Sequence, residues 1–157
     1  MSNSTTVSNA SHHVQVAKAI RAMLKEQGIV GKVKASGANG TTSVSVVLMD
    51  ATPTQSSFVK RFAMKHRRTR AFEPCLEVPK VNNLWIDVEY SDTRKQEALD
   101  VLSAHYGVPA MSVDAIPTDV IVKRDTVNMV LGMRNLLKGM HMPHIKFWAD
   151  DTEQEAC

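Results

Sequence analysis

Apolar residues change their spacing along the chain, and each change predicts a different element. From Ser11 to about Gln27 they recur every three or four residues, which predicts a first helix that ends at Gly28. Val30–Ser36 and Thr41–Met49 alternate apolar with polar positions. Because only a short glycine-rich segment separates these two strands, we expect them to pair as a hairpin.

A capping signal marks the start of the second helix. Thr52 can cap the N-terminus, Pro53 suits the first helical position, and Gln55 completes a Thr-x-x-Gln capping box. We expect the helix to end before Pro74. Its inward face is expected to carry four apolar residues, Phe58, Val59, Phe62 and Met64.

A third strand and a third helix follow. Leu84–Tyr90 alternate apolar with polar residues, which predicts a strand with one polar face. Ser91 or Asp92 is expected to cap a helix that runs to about His105 and ends at Gly107.

The pattern is weaker beyond this helix. Val120–Val122 favours a short strand, and Asp125 is expected to cap a last helix that ends at Gly139. Ile145–Trp148 favours a further short edge strand.

Together these elements predict an α+β fold. We expect an antiparallel three- or four-stranded sheet with helices packed on one face, in the order α-β-β-α-β-α-α. The expected organisation comprises a disordered N-terminal arm at 1–10, an α+β core domain at 11–107, a C-terminal helical extension at 108–149 packed on the core, and an acidic tail at 150–157.

Composition narrows the class of protein. A chain of 157 residues with 43% apolar residues can bury a core without disulfides or metals. Its two cysteines, Cys75 and Cys157, imply no disulfide framework and fit a reducing cytosol. The sequence shows neither a secretory signal nor an apolar run of membrane-spanning length. We therefore expect a soluble cytoplasmic protein that does not act on membranes.

Basic side chains concentrate towards the end of the second predicted helix. On a helix Arg61, Lys65 and Arg68 share one face, and clustered cations bind a phosphate backbone by releasing counterions. The aromatic ring of Phe72 can stack on a base. A solvated basic turn, favoured by the helix dipole, is the alternative interpretation. The expected contacts to nucleic acid or an acidic partner are Lys60, Arg61, Lys65, Arg67, Arg68, Arg70 and Phe72.

Other residue groups fit ordinary structural roles. His141 and His144 flank Pro143 without a spaced set of further ligands, so no metal site is predicted. Asp87 and Glu89 share a strand face where alternation alone places exposed polar side chains. No catalytic residue and no cofactor are predicted. The methionines of the last helix are expected in the core, with a homo-oligomer through that helix as the alternative.

The ordered set of elements resembles a large polyvalent protein-associated domain of the twenty-ninth type. The resemblance covers about residues 14–107. Its matching segments are Ala17–Arg21 with Leu24-Lys25, the glycine turn with Thr42–Val46, Asp50-x-Thr-Pro, and the aromatic-led strand entering Glu89–Asp92.

Domains of this family occur in long proteins of phages and conjugative elements and are associated with delivering or protecting incoming DNA. The resemblance implies a non-enzymatic accessory protein of a phage or mobile element, acting in the host bacterial cytosol. The expected partner is nucleic acid or a host nucleoprotein, bound through the basic helix face. The alternative is a protein–protein inhibitor of a host defence complex, of the anti-CRISPR or anti-restriction type, without nucleic-acid contact. The family has no established catalytic residues.

Overall fold

The computed structural model describes residues 11–38, 40–69, 78–140, 142 and 145–148. Within these ranges the chain forms four α-helices, a three-stranded sheet in the order β1-β2-β3 and a two-stranded β4–β5 hairpin, which confirms the α+β class. In chain order the elements are α1 (His12–Gln27), β1 (Gly31–Ala38), β2 (Thr41–Met49), α2 (Pro53–Met64), β3 (Asn83–Glu89), α3 (Asp92–Tyr106), a 3-10 turn (Val113–Ala115), β4 (Val120–Val122), β5 (Asp125–Val127) and α4 (Met129–Leu137).

Local signals fix several helix ends where the sequence predicts them. The Thr52 N–H donates to Gln55 Oε1 at 3.0 Å, and the Gln55 N–H donates to Thr52 Oγ1 at 3.1 Å, so the capping box before α2 is confirmed. Ser91 caps α3 by accepting the Arg94 N–H. Gly107 ends α3 at a φ of 65°, a left-handed conformation that suits glycine.

The three-stranded sheet is mixed, so the prediction of an antiparallel sheet is correct only in part. The Thr42 N–H near the start of β2 donates to Asn82 Oδ1 just before β3. At the other end, the Asp50 N–H donates to the carbonyl of Glu89, the last residue of β3. The strands β2 and β3 therefore run in the same direction. A strand–helix–strand connection returns the chain to the edge at which it started, and adjacent strands joined in this way are parallel.

The described residues form two compact units, each discontinuous in sequence. The first unit contains the residues up to Val47 and Val59–Asp87, and the second contains Leu48–Phe58 and the residues from Val88 onward. In the first unit α1 packs along β1, and its buried side chains are Val16, Ala17, Ile20, Met23 and Leu24. The predicted boundaries at residues 107 and 149 stay predictions.

The core of the second unit lies between α3 and α4. Leu99 and Leu102 of α3 are buried together with Met129, Met133 and Leu136 of α4. This arrangement requires a glycine on α4, because a Cβ added at Gly132 would lie 2.7 Å from the Leu102 side chain. The core position predicted for the methionines in and after α4 is confirmed for Met129 and Met133, but Met140 is 57% exposed.

The C-terminal part departs from the sequence pattern in two places. Asp125 does not cap a helix: Asp125–Val127 is β5, which pairs antiparallel with β4, and α4 is capped instead by Asn128. The predicted edge strand at Ile145–Trp148 is absent from the described residues. Trp148 serves another purpose there, since its indole N–H donates to the carbonyls of Leu136 and Leu137 at the end of α4.

None of the helices in the described ranges is both long enough and apolar enough to cross a lipid bilayer.

Asp50 offers a test of how the ends of β2 and β3 are joined. Its φ is 50°, and its side-chain Oδ1 accepts the Ser91 N–H at 2.7 Å. Replacing Asp50 by Ala is expected to lower the free energy of unfolding by about 1–3 kcal/mol, because alanine tolerates the left-handed region poorly and Ser91 loses its acceptor. Denaturant titration measures the change.

Asp50→Asn is the matched control. Asparagine keeps an oxygen acceptor and tolerates the left-handed region, so it should retain most of the stability. Equal losses in the two variants would contradict this role of the side chain.

Candidate nucleic-acid interface

The helix α2 carries a basic outer surface. Val59 and Ala63 are fully buried, whereas Lys60 and Arg61 are exposed on the opposite side. Met64 was predicted to point inward, but its side chain is 53% exposed. Helical spacing places it beside Lys60 and Arg61 because residues three and four apart are neighbours. The outer surface of α2 therefore combines two cations with a polarisable apolar side chain.

The basic run does not continue as a helix. α2 ends at Met64, and Arg67 forms a parallel bridge with Val81. The prediction that Arg68 shares a helix face with Arg61 and Lys65 was therefore wrong. The physical reason is that the backbone after Met64 gains hydrogen bonds to a distant segment: the Arg68 N–H donates to the Val81 carbonyl at 2.9 Å.

This bridge closes a loop around residues outside the described ranges. The Val81 N–H donates to the His66 carbonyl at 2.7 Å, and His66 Nδ1 lies 2.9 Å from the Pro79 carbonyl oxygen. The closure brings Lys80 to the same end of the unit as Arg67. Sequence reasoning missed Lys80 because it lies thirteen positions after Arg67 and no local pattern signals the pairing.

His66 belongs to the basic run in the sequence but not on the surface. Its side chain is buried and lies near Phe62, with ring centroids 5.7 Å apart. Because the Pro79 carbonyl is an acceptor, Nδ1 donates the hydrogen bond and the neutral ring has no proton on Nε2. Nε2 is buried without a hydrogen-bond partner. Burial, aided by the charge of Lys65, lowers the pKa of His66 despite the opposing hydrogen bond to Pro79.

Lys65 is held at the end of α2 by an aromatic ring. Its Nζ lies 4.1 Å from the centroid of the Phe62 ring, within the range of a cation–π interaction. The ammonium group remains exposed to solvent. This contact limits the positions that the lysine side chain samples, so less conformational entropy would be lost when the ammonium meets an anion.

The predicted site residues therefore separate into three groups. Lys60, Arg61, Lys65 and Arg67 are exposed, and Arg68 is partly buried. Arg70 and Phe72 lie outside the described residues, as do Cys75, Cys157, His141 and His144 and the predicted arm and acidic tail.

The carboxylates weighed as acid–base candidates lie on the polar face predicted for β3. Asp87 and Glu89 are both exposed. Within the described ranges, histidine, cysteine, aspartate and glutamate nowhere gather into a group of three that could hold a metal ion.

The two units differ sharply in charge. Among the described residues, the first unit carries eleven Lys and Arg against two Asp and Glu, whereas the second carries seven against eight. The net charge of +3 for the whole chain does not show this difference between the units. Besides the run on α2, the first unit presents exposed cations from two other elements, Lys18, Arg21 and Lys25 on α1 and Lys32 and Lys34 on β1. Such an excess produces a positive field over one part of the molecule.

Searches with family models, among curated proteins and among solved structures found no match to this chain.

The buried His66 makes the stability of the protein depend on pH. Its pKa is lower in the folded state than in the unfolded chain, so the unfolded chain binds the proton more readily. The stabilisation is fully present above the ordinary histidine pKa of about 6.5 and is lost as the pH falls through the folded-state pKa. We therefore expect the free energy of unfolding to fall between about pH 7.5 and 5.5.

His66→Asn keeps a donor near the position of Nδ1 but does not titrate. Its free energy of unfolding, measured by denaturant titration at each pH, should change less over this range than that of the wild type. Parallel curves for the two proteins would show that another group is responsible.

Proposed function

We propose that the chain is a non-enzymatic accessory protein of a phage or mobile element that binds nucleic acid, or a host nucleoprotein, in the bacterial cytosol. The contact surface is the basic surface of the first unit, centred on Lys60, Arg61, Lys65 and Arg67. The resemblance to a large polyvalent protein-associated domain supplies the biological setting of this proposal. The partner class rests on the charge of the surface.

The observation that carries the proposal is the excess of cations in the first unit, eleven Lys and Arg against two Asp and Glu among its described residues. A charge excess of this kind destabilises the unit by self-repulsion unless an anionic partner offsets it. Within the described residues, Lys60, Arg61 and Arg67 form no ion pair. Their charges are thus available to phosphates, which Arg can bind through two parallel hydrogen bonds.

The second candidate function is inhibition of a host defence complex through protein contacts alone. It is favoured by a groove of about 270 Å³ on the second unit, in which Ile116, Val130 and Leu131 lie beside three polar residues, Thr118, Asn128 and Arg134. Val130 and Leu131 are 39% and 51% exposed, although they lie on a helix whose other side forms the core. Exposed apolar side chains that line a groove are typical of interaction sites. The same groove is where we propose that the chain forms a homo-oligomer.

A salt series tests the leading function. Binding of mixed DNA and RNA should weaken steeply with salt, because bound phosphates release counterions. The slope of log Kobs against log salt is negative. Replacing both Arg61 and Arg67 by Ala should reduce its absolute value by about 1.4–1.8, given about 0.7–0.9 for each phosphate contact. Fluorescence anisotropy of a labelled oligonucleotide measures both quantities.

Lys95→Ala with Lys138→Ala is the matched control, since it removes the same charge from the second unit. It should leave the slope nearly unchanged. Absence of binding at low salt would remove the leading function and leave the inhibitor.

The groove proposal predicts self-association that depends on α4. Leu131→Glu should shift the chain to the monomer in sedimentation velocity, because it places a charge in an apolar contact. Ile121→Glu is the control, since Ile121 is 73% exposed on β4 but does not line the groove. A wild-type protein that stays monomeric at high concentration would contradict the homo-oligomer but not the inhibitor.

A further inference from the structure

One face of the three-stranded sheet is open to solvent. The strand residues that alternate with the buried Val44 and Val46 include Ser43 and Ser45, which are only partly buried. On β3 the side chain of Trp85 is 57% exposed. Tryptophan is among the residues with most to gain from burial, so a partner that covers the exposed indole gains apolar contact area there.

The hydrogen bonds at the strand ends show which residues lie side by side. In a parallel ladder, the bond from the Asp50 N–H to the Glu89 carbonyl sets Tyr90 opposite Asp50, an offset of 40 residues. The side-chain bond between Thr42 and Asn82 has the same offset, so Trp85 lies beside Ser45. β1 ends at Ala38 and β2 begins at Thr41, so Lys34 and Ser45 are equally far from the turn and face each other. Lys34, Ser45 and Trp85 therefore form a row across the three strands.

The neighbouring row is formed in the same way by Lys32, Val47 and Asp87. Strands in a sheet are about 4.8 Å apart, which places the backbone of Lys34 roughly 10 Å from that of Trp85. The long lysine side chain shortens this gap. An ammonium and an indole are thus presented on the same face of the sheet, two strands apart.

We infer that this open sheet face binds single-stranded nucleic acid. A base stacks on the Trp85 indole, the adjacent phosphate meets Lys34, and Ser45 between them is a hydrogen-bond partner for sugar or base.

The occupant follows from the chemistry of the face and the charge of the unit. The carboxylates of an acidic protein would satisfy the lysines, but only in a nucleic acid is each phosphate accompanied by a planar base that can stack on the indole. Every nucleobase has a π-face, and in a single strand this face is available for stacking. In a duplex the bases are stacked on each other, so a duplex should compete poorly.

This surface is distinct from the basic surface of α2. The sheet turns Val44 and Val46 towards the interior, and α2 turns Val59 and Ala63 there, so the two sets of exposed residues face away from the interior on different sides of the first unit. The inference adds a second contact to the proposed function and rests on it for the anionic character of the partner.

A single-tryptophan protein reports directly on this face. The chain has two tryptophans, so Trp148→Phe leaves Trp85 as the only indole. Titration with a dT oligonucleotide of about twelve nucleotides should quench its fluorescence on saturation, because a stacked base contacts the ring. In the otherwise wild-type protein, Trp85→Ala should weaken binding about 5- to 150-fold. This second measurement does not depend on the folding of the Trp148 variant.

Two controls separate this inference from the proposed function. Lys34→Ala should weaken binding, whereas Lys25→Ala, which removes an exposed cation from α1, should have a smaller effect. Quenching of Trp85 that persists when Arg61 and Arg67 are both replaced by Ala would support the sheet face even if the α2 surface proved unnecessary.

Three outcomes would overturn the inference. Binding with no change in Trp85 emission would remove the sheet face and leave the proposed function intact. Equal competition by duplex DNA would contradict the stacking of an unpaired base. Failure to bind any oligonucleotide at low salt would remove both proposals.

Discussion

The parallel pairing of β2 with β3 is the constraint on which the described architecture depends. It is fixed at one end by Thr42 and Asn82 and at the other by Asp50, which holds a left-handed backbone while its side chain accepts the Ser91 N–H. Since the register of two paired strands can shift only by whole residues, these bonds determine which side chains of β2 and β3 are neighbours. They place Trp85 beside Ser45. They also fix the position at which α3 begins, because Ser91, whose N–H is bound by Asp50, is the N-cap of that helix.

The same crossover explains why the charge of the chain is divided between two units. The first unit is assembled from α1, the hairpin and the segment from Val59 to Asp87, whereas residues 48–58 belong to the second unit. Cations that are spread over seventy residues of sequence are thereby collected in one compact body. The loop closed by His66 and Val81 adds Lys80 to them. The lowered pKa of His66 fits this arrangement, because protonation of Nε2 would place a charge near Lys65 at a buried nitrogen that has no acceptor.

The sequence pattern was sufficient where a local rule decides the structure. Three features depend only on residues close in sequence: the capping box at Thr52, the alternation of β2 and the glycine at the end of α3. It failed where distant residues decide. Arg68 is not helical, because its backbone N–H donates to the Val81 carbonyl. The mixed sheet follows from the crossover between β2 and β3, which no single segment of the sequence predicts. The β4–β5 turn was missed for a different reason. Lys123 and Arg124 adopt positive φ angles of 47° and 79° there, in positions where Asn and Gly are the recognisable signal.

For the candidate site, the sequence predicted which residues are cationic but not which of their side chains are exposed. The run from Lys60 to Arg68 contains exposed, half-buried and fully buried side chains, and charge alone does not separate them. Charge alone also does not separate an acidic protein from a nucleic acid, since carboxylates and phosphates both satisfy Lys and Arg. The inference in favour of nucleic acid rests on stacking, because a base attached to a phosphate can stack on the Trp85 indole and a carboxylate group cannot. The position of Trp85 in a row with Lys34 therefore discriminates between the proposed classes of partner better than the larger basic surface does. The sequence pattern alone predicts Trp85 only as one exposed residue of an alternating strand.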